Sequence, residues 1–321
     1  MPKKRLLGCS FPVFIGVAVV FLLMFLIGFA AGPLGKSLFG LNLPAWISVP
    51  QPSPELPAEV VFHILGFPVT NSLIGAWITI IFLVTFCFLV TRKITLVPGR
   101  RQALLEIALE SLLGFCQRVA GEKNGRRFFP VIATIFFYVV FNAWLSLLPG
   151  YGSIFVRTAE GEVHLLRGAN TDINTTLSIA LIAFVFIEVT GLRALGIRYL
   201  GKFINLVGVV NVGRLLMKGQ FKAALSGLLM GVINIFVGIL ELVSELIRIV
   251  SFTFRLFGNM TAGEILLLVV VFLVPWVLAV PFYVLELLVG FVQALIFAGL
   301  TLIFLTMAVI SHSHQEESSH H

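Results

Sequence analysis

Long apolar runs, separated by short basic or proline-rich stretches, set the pattern of this chain. Residues 11–31, about 72–90, about 129–148 and about 173–192 are each long and apolar enough to cross a hydrocarbon core of about 30 Å as a helix. The segment 100–120 has a different pattern. Leu105, Ala108, Leu109, Leu112, Cys116 and Val119 recur at spacings of three and four, so they share a helix face. Arg100, Arg101, Glu106, Glu110 and Arg118 are too many charges for a buried span. The pattern predicts an amphipathic helix lying in the membrane interface, opened by Pro98-Gly99.

Residues 223–311 form one apolar stretch whose strong breaks are Pro275-Trp276 and Pro281. Division there predicts helices of roughly 50 and roughly 30 residues, about 75 Å and 45 Å long. Both exceed the membrane thickness and so must tilt or bend, with Gly258 and Gly263 as candidate bend points. The alternative division is three ordinary spans, with Arg248 or Glu245 at an interface. The fold class is an all-α polytopic membrane protein of about six crossing helices plus the interfacial helix, the last two helices being long and tilted.

Four regions follow from the pattern. Residues 1–31 combine a basic start with the first apolar run, and read either as a signal peptide with small residues at Ala30-Ala31-Gly32 or as a retained span. Residues 32–70 are rich in Pro and Gly, carry one lysine, and read as an external loop. Residues 71–311 form the main membrane domain, and 312–321 a polar tail. The loop 149–171, of mixed charge, also reads as external.

Composition agrees with the pattern: 59% of residues are hydrophobic and 12% charged, against about 25% charged in a soluble domain. A β-barrel would show short alternating segments, which are missing. The net charge of +7 is clustered at the edges of apolar runs, in Lys3–Arg5, Arg92–Arg127 and Arg193–Lys222. That distribution follows the positive-inside rule and not a nucleic-acid footprint. With the first span retained, six crossings put both termini in the cytoplasm. Cys9, Cys87 and Cys116 form no disulfide framework and no CxxC pair. His63 and His164 stand alone, and the four tail histidines read as solvated, so no metal site is expected.

The ionisable residues inside the apolar background carry the chemistry. From 223 to 311 they are Glu241, Glu245, Arg248, Arg255, Glu264 and Glu286. Arginine keeps its proton, and a charge at the bilayer centre costs about 2.5–3.5 kcal/mol or more. Arg255 must therefore face protein or trapped water and have an anionic partner. Glu241, Glu245, Arg248, Phe252, Arg255 and Asn259 step by threes and fours along one helix face. Glu286 and Gln293 lie two turns apart on one face of the last helix, and Glu188 and Asn142 add polar groups to earlier spans. Interhelical glue explains a single pair, at about 0.6–2 kcal/mol. Carboxylates, an arginine and amides together suit a proton path.

Four motifs carry a family resemblance. Arg255-Leu-Phe-Gly-Asn-Met-Thr-Ala-Gly-Glu264 resembles the signature of subunit a of the rotary F-type ATP synthase. The run from Gln293 resembles that family's last helix, Asp172-Ile-Asn-Thr-Thr-Leu the start of its fourth, and Pro98-Gly-Arg-Arg-Gln its interfacial helix. The resemblance spans about residues 60–310 with the motifs in order.

It implies a proton-conducting stator subunit, not catalytic on its own, with two offset half-channels against a ring of c subunits. Further implied partners are the b-subunit peripheral stalk, the remainder of the complex and the lipid bilayer; no cofactor and no nucleic acid is implied. The location implied is a bacterial plasma (inner) membrane. The resemblance makes Arg255 the essential coupling cation. Asn259, Glu264, Glu286 and Gln293 fall near it and the outer half-channel, and Gln293 is its implied hydrogen-bonding neighbour. Glu241 falls on the inner exit path, Asp172 and Asn174 at the outer mouth, and Glu245 and Arg248 have less direct roles. Glu286 stands where some members have His, so the outer relay uses two carboxylates, Glu264 and Glu286. The region 1–59 extends beyond the shorter members.

Two other classes compete. A secondary transporter of an anionic substrate would use Arg255 for binding, but such folds show internal repeats, and none is visible. An intramembrane hydrolase needs a nucleophile with a base or a HExxH motif, and a nucleotide-binding role needs a GxxxxGK[ST] loop; neither motif occurs.

Overall fold

A computed structural model describes residues 5–6, 9–40, 51, 57–92, 95, 98–148, 150–158, 161–196, 199, 201, 203, 221–275 and 277–310. Eight α-helices occur among them: α1 (Phe11–Ala31), α2 (Pro33–Phe39), α3 (Asn71–Thr91), α4 (Arg100–Ala120), α5 (Glu122–Ser146), α6 (Ile173–Leu195), α7 (Phe221–Leu273) and α8 (Ala279–Ile310). All but α2 and α4 are long and apolar enough to cross a membrane, which makes six spans. The protein is thus an all-α, multi-pass membrane protein.

The 223–311 stretch divides once. α7 runs unbroken for 53 residues and α8 for 32, so the three-span alternative is overturned. Neither Gly258 nor Gly263 ends α7. The helix ends at Leu273, with a last bond from the Val274 N–H to the Val270 carbonyl just before Pro275, and Pro281 falls in the first turn of α8, where a missing N–H costs nothing. At about 1.5 Å per residue α7 is about 80 Å long, well beyond a membrane core.

Other boundaries moved. The predicted span 129–148 begins at Glu122, seven residues earlier. Charges obscured that start, but they suit it. Glu122 sits at the positive end of the helix dipole and pairs with Arg126 at 3.1 Å. Gly121, at φ +79°, reverses the chain between α4 and α5, and Gly125 packs against the backbone of Cys116 and Gln117. The interfacial helix has its predicted bounds, and its apolar face is the covered one: Leu112 and Cys116 are buried while Leu104 and Ile107 lie exposed.

Both segments read as loops contain hairpins: β3 (Val60–Ile64) pairs with β4 (Phe67–Thr70), and β5 (Phe155–Thr158) with β6 (Gly161–His164), both antiparallel. A two-residue pair, β1 (Arg5–Leu6) with β2 (Cys9–Ser10), precedes α1. The tail 312–321, most of the basic segment Arg193–Lys222, and Lys93, Pro149 and Trp276 lie outside the described residues.

The chain divides into two compact units, and α3, α5, α7 and α8 contribute to both. The first comprises Met1–Gly75, Asn142–Asp172 and Gly258–Val292. Within it, α1 meets the end of α7 through glycines: a Cβ on Gly28 or Gly32 would collide with the carbonyl oxygen of Pro275 or Leu273. The rest of α1 exposes Val17, Val20, Leu22, Leu23 and Leu26, as a lipid-facing helix does. Trp144 donates its indole N–H to the Leu287 carbonyl at 3.0 Å, tying α5 to α8.

The second unit comprises Ala76–Phe141, Ile173–Phe257 and Gln293–His321. Phe128, Ile132, Val139, Ile187, Leu256, Leu302 and Leu305 are almost fully buried in it. Phe252 packs on Phe297 and Phe304, with ring centroids 5.0 and 5.9 Å away.

Candidate functional site

Several polar residues of the first unit line a cavity of about 340 Å³. Asn142 and Ser146 of α5, Glu264 of α7, and Tyr283 and Glu286 of α8 line it, together with Tyr151 and the loop 166–171. Glu264 and Glu286, predicted as a carboxylate pair, therefore share one space. Glu286 is buried, and Gly263 makes room for it: a Cβ there would collide with the Glu286 carboxylate. Glu264 is more open, and its partner is Arg167, at 3.4 Å.

The cavity wall is held by polar bonds. Asn142 Oδ1 accepts the Asn170 backbone N–H at 3.0 Å. Ser72, at the start of α3, donates to Asp172 Oδ2 at 2.6 Å, a charge-assisted bond in a buried setting. Asn71 beside it donates to Glu59 at 3.2 Å. Burial pushes the Tyr151 hydroxyl up to about 12, so it remains a neutral hydrogen-bonding group at physiological pH.

The stripe along α7 does not share one environment. Glu245 is buried and pairs with Arg248 at 2.8 Å. The Arg248 guanidinium also lies 3.8 Å above the Phe304 ring, a cation–π contact. Glu241 is half-buried, whereas Arg255 and Asn259 are exposed. A helix face keeps its direction, but the helices covering it change along its length. Among the described residues Arg255 makes one hydrogen bond, to Ser251 Oγ at 3.5 Å, and no ion pair. Gln293 is half-buried, and no hydrogen bond joins it to Arg255, although the resemblance implied one. Glu188 accepts from the Tyr199 hydroxyl at 3.2 Å, and Asn174 is exposed near the start of α6.

The described residues thus carry six apolar spans, an arginine on an exposed face of the longest of these helices, and two carboxylates in one cavity. Residues 73–306 match the family model of the ATP synthase A chain. The chain belongs to that family. It is 33% identical over 242 residues to ATP synthase subunit a of Gloeobacter violaceus, covering 75% of this chain and 85% of that protein. With the Moorella thermoacetica ATP synthase subunit a it shares 27% over 257 residues, 80% of this chain and 98% of the relative. With that of Campylobacter jejuni (strain RM1221) it shares 31% over 229 residues, 71% and 84% of the two chains. As an A chain, it is a membrane-sector subunit that acts within the ATP synthase complex in proton transport and ATP synthesis. The family match begins at residue 73, so α1, α2 and the β3–β4 hairpin precede it.

Sequence reasoning did not single out Arg167, Ser72, Tyr151 or Tyr283. Arg167 had one readable signal: it is a basic residue five positions before Asp172, in a segment otherwise read as external. For Gly263 the reading foresaw a bend, while its observed role is to clear space.

Proposed function

We propose that this subunit is the stator half of a proton-driven rotor, conducting protons through two offset half-channels against a ring of c subunits. The observation that carries the reading is Arg255. It is a permanent cation on an exposed face beside Ser251 and Asn259, with no anionic partner among the described residues of its own chain. In lipid that arrangement costs about 2.5–3.5 kcal/mol or more, so the missing carboxylate belongs to a neighbour. A membrane-embedded carboxylate on each ring subunit would supply it.

The cation then does two things. It favours the ionised form of the ring carboxylate that reaches it, so the proton leaves. It also repels protons, which blocks a short circuit between the half-channels. Lysine is a poor substitute, because burial can neutralise it. The cavity with Glu264 and Glu286 serves as the outer half-channel, with Asp172 and Asn174 at its mouth. Asn259 and Gln293 are polar neighbours of the coupling region, and Glu241 serves the inner exit. Glu245, Arg248 and Glu188 hold structure around that path. One charge crossing 100 mV releases about 2.3 kcal/mol, so several protons pass for each ATP formed elsewhere in the complex.

The setting is a bacterial plasma membrane with both termini cytoplasmic. Residues 71–311 form the channel domain and 1–31 an additional span, and the b-subunit stalk holds the assembly still. The test is ATP-driven proton pumping in vesicles carrying the whole complex. Arg255→Ala should abolish coupled pumping while the complex stays assembled. Pumping at the unmodified rate would overturn the reading.

A further inference from the structure

Arg167 lies outside every motif discussed above, yet it ties three segments of the first unit together. Its Nη2 reaches Glu264 Oε2 of α7 at 3.4 Å. Its Nε donates to Thr171 Oγ1 at 3.2 Å, in the turn before α6. Its Nη1 donates to the Pro57 carbonyl at 3.0 Å, in the segment leading into the β3–β4 hairpin. The side chain is only 10% exposed. The backbone is held too: Gly75 of α3 packs directly on the Arg167 carbonyl, where a Cβ would collide. Thr171 is itself fixed by donating to the Gly168 carbonyl at 2.8 Å.

We infer that Arg167 is a positioning residue that holds the Glu264 carboxylate at the wall of the outer cavity and couples it to the segment at Pro57. The inference rests on the reading of that cavity as the outer half-channel. The role has two parts: the charge meets Glu264, and the guanidinium fork also reaches Thr171 and Pro57. Its donors diverge in one plane, so they can serve a carboxylate, a hydroxyl and a carbonyl together. A lysine ammonium is a point charge. It can meet Glu264, but it has no fixed fork with which to hold Pro57 and Thr171 as well.

The arrangement also explains why a buried cation is tolerated here. Each of the three guanidinium nitrogens donates one hydrogen bond, and the ion pair it makes among the described residues is with the group being positioned. Without Arg167, the Glu264 side chain regains rotamer freedom, and the segment at Pro57 loses its tie to the loop 166–171.

The experiment uses the whole complex in membrane vesicles and measures ATP-driven proton pumping, with retention of the catalytic sector on the membrane as the assembly control. Arg167→Gln should assemble and lower pumping at least tenfold. Arg167→Lys should recover pumping to within about threefold of the unmodified protein, because the charge opposite Glu264 returns. Thr171→Val, which removes the bond from Arg167 and the Thr171–Gly168 side-chain bond but leaves the ion pair, should fall between the two.

Pumping unchanged in Arg167→Gln overturns the inference. So does an assembled Arg167→Lys as inactive as Arg167→Gln, since charge positioning would then not be what matters. If Arg167→Gln fails to assemble, Thr171→Val decides: full activity overturns the proposal, and a partial loss with assembly intact supports it. The two readings fail separately. Arg255→Ala vesicles that still pump would remove the rotor reading itself. A neutral Arg167→Gln beside an inactive Arg255→Ala removes only this one.

Discussion

Gly263→Ala isolates the fit between α7 and α8 at the outer cavity. The new Cβ would occupy the space of the Glu286 carboxylate. Overpacking of this kind costs about 1–3 kcal/mol where neighbours cannot move. Here the obstacle is the end of a flexible side chain, so an off-rotamer shift of about 0.5–1.5 kcal/mol relieves the clash. The fold and the assembly should therefore survive, but the carboxylate moves out of its place in the cavity wall. A displacement worth about 1.4 kcal/mol at the proton-transfer step corresponds to tenfold in rate. ATP-driven proton pumping in vesicles of the whole complex should fall roughly tenfold, with the catalytic sector still bound. Adding Glu286→Asp, one methylene shorter, should return pumping to within about threefold of the Glu286→Asp single variant. Unchanged pumping in Gly263→Ala would refute the packing, and so would a loss that Glu286→Asp deepens.

Two further outcomes follow from the second unit. Arg248→Ala removes the 2.8 Å ion pair to buried Glu245, a loss of up to about 3–5 kcal/mol, and should reduce the amount of assembled complex; adding Glu245→Gln should restore much of it, as read by immunoblot of solubilised membranes. Cys116 is buried and its thiol is pushed up to about 11, so it should resist maleimide at pH 7 in the native complex and react only after denaturation. The sign of its pH dependence follows from the same shift. The folded protein holds the thiol proton that the unfolded chain releases at lower pH. Its contribution to stability is therefore complete below the unfolded value, near 9, and is lost as pH rises toward 11.

Much of this protein was legible without coordinates, because lipid imposes a strong rule. A spanning segment must satisfy its backbone internally, so apolar length alone reports helices. That is why α1, α3 and α6 appear within a few residues of their predicted bounds, while the interfacial α4 was read from its three- and four-residue spacing. α5 was read short because Glu122, Arg126 and Arg127 lengthen the helix outside the apolar run, where hydropathy carries no signal. The unbroken α7 had to be chosen against three spans, since nothing local distinguishes a long helix from two abutting ones. The hairpins β3–β4 and β5–β6 escaped because short strands in mixed loops show no alternation long enough to read.

The sequence by itself determined the class of solvent, the number of spans, and which ionisable groups lie in apolar surroundings. Those are one-dimensional properties of composition and spacing, and the 255–264 motif added the family resemblance. Only the tertiary structure decided which of those groups meet. It set Glu264 and Glu286 in one cavity, turned Glu245 and Arg248 inward as a pair, and left Arg255 on an exposed face. It also brought Arg167, 97 positions from Glu264, into contact with it. Contacts of that kind depend on how helices pack and loops return, and a charge in a loop has the same local sequence whether it ends in water or against a buried carboxylate.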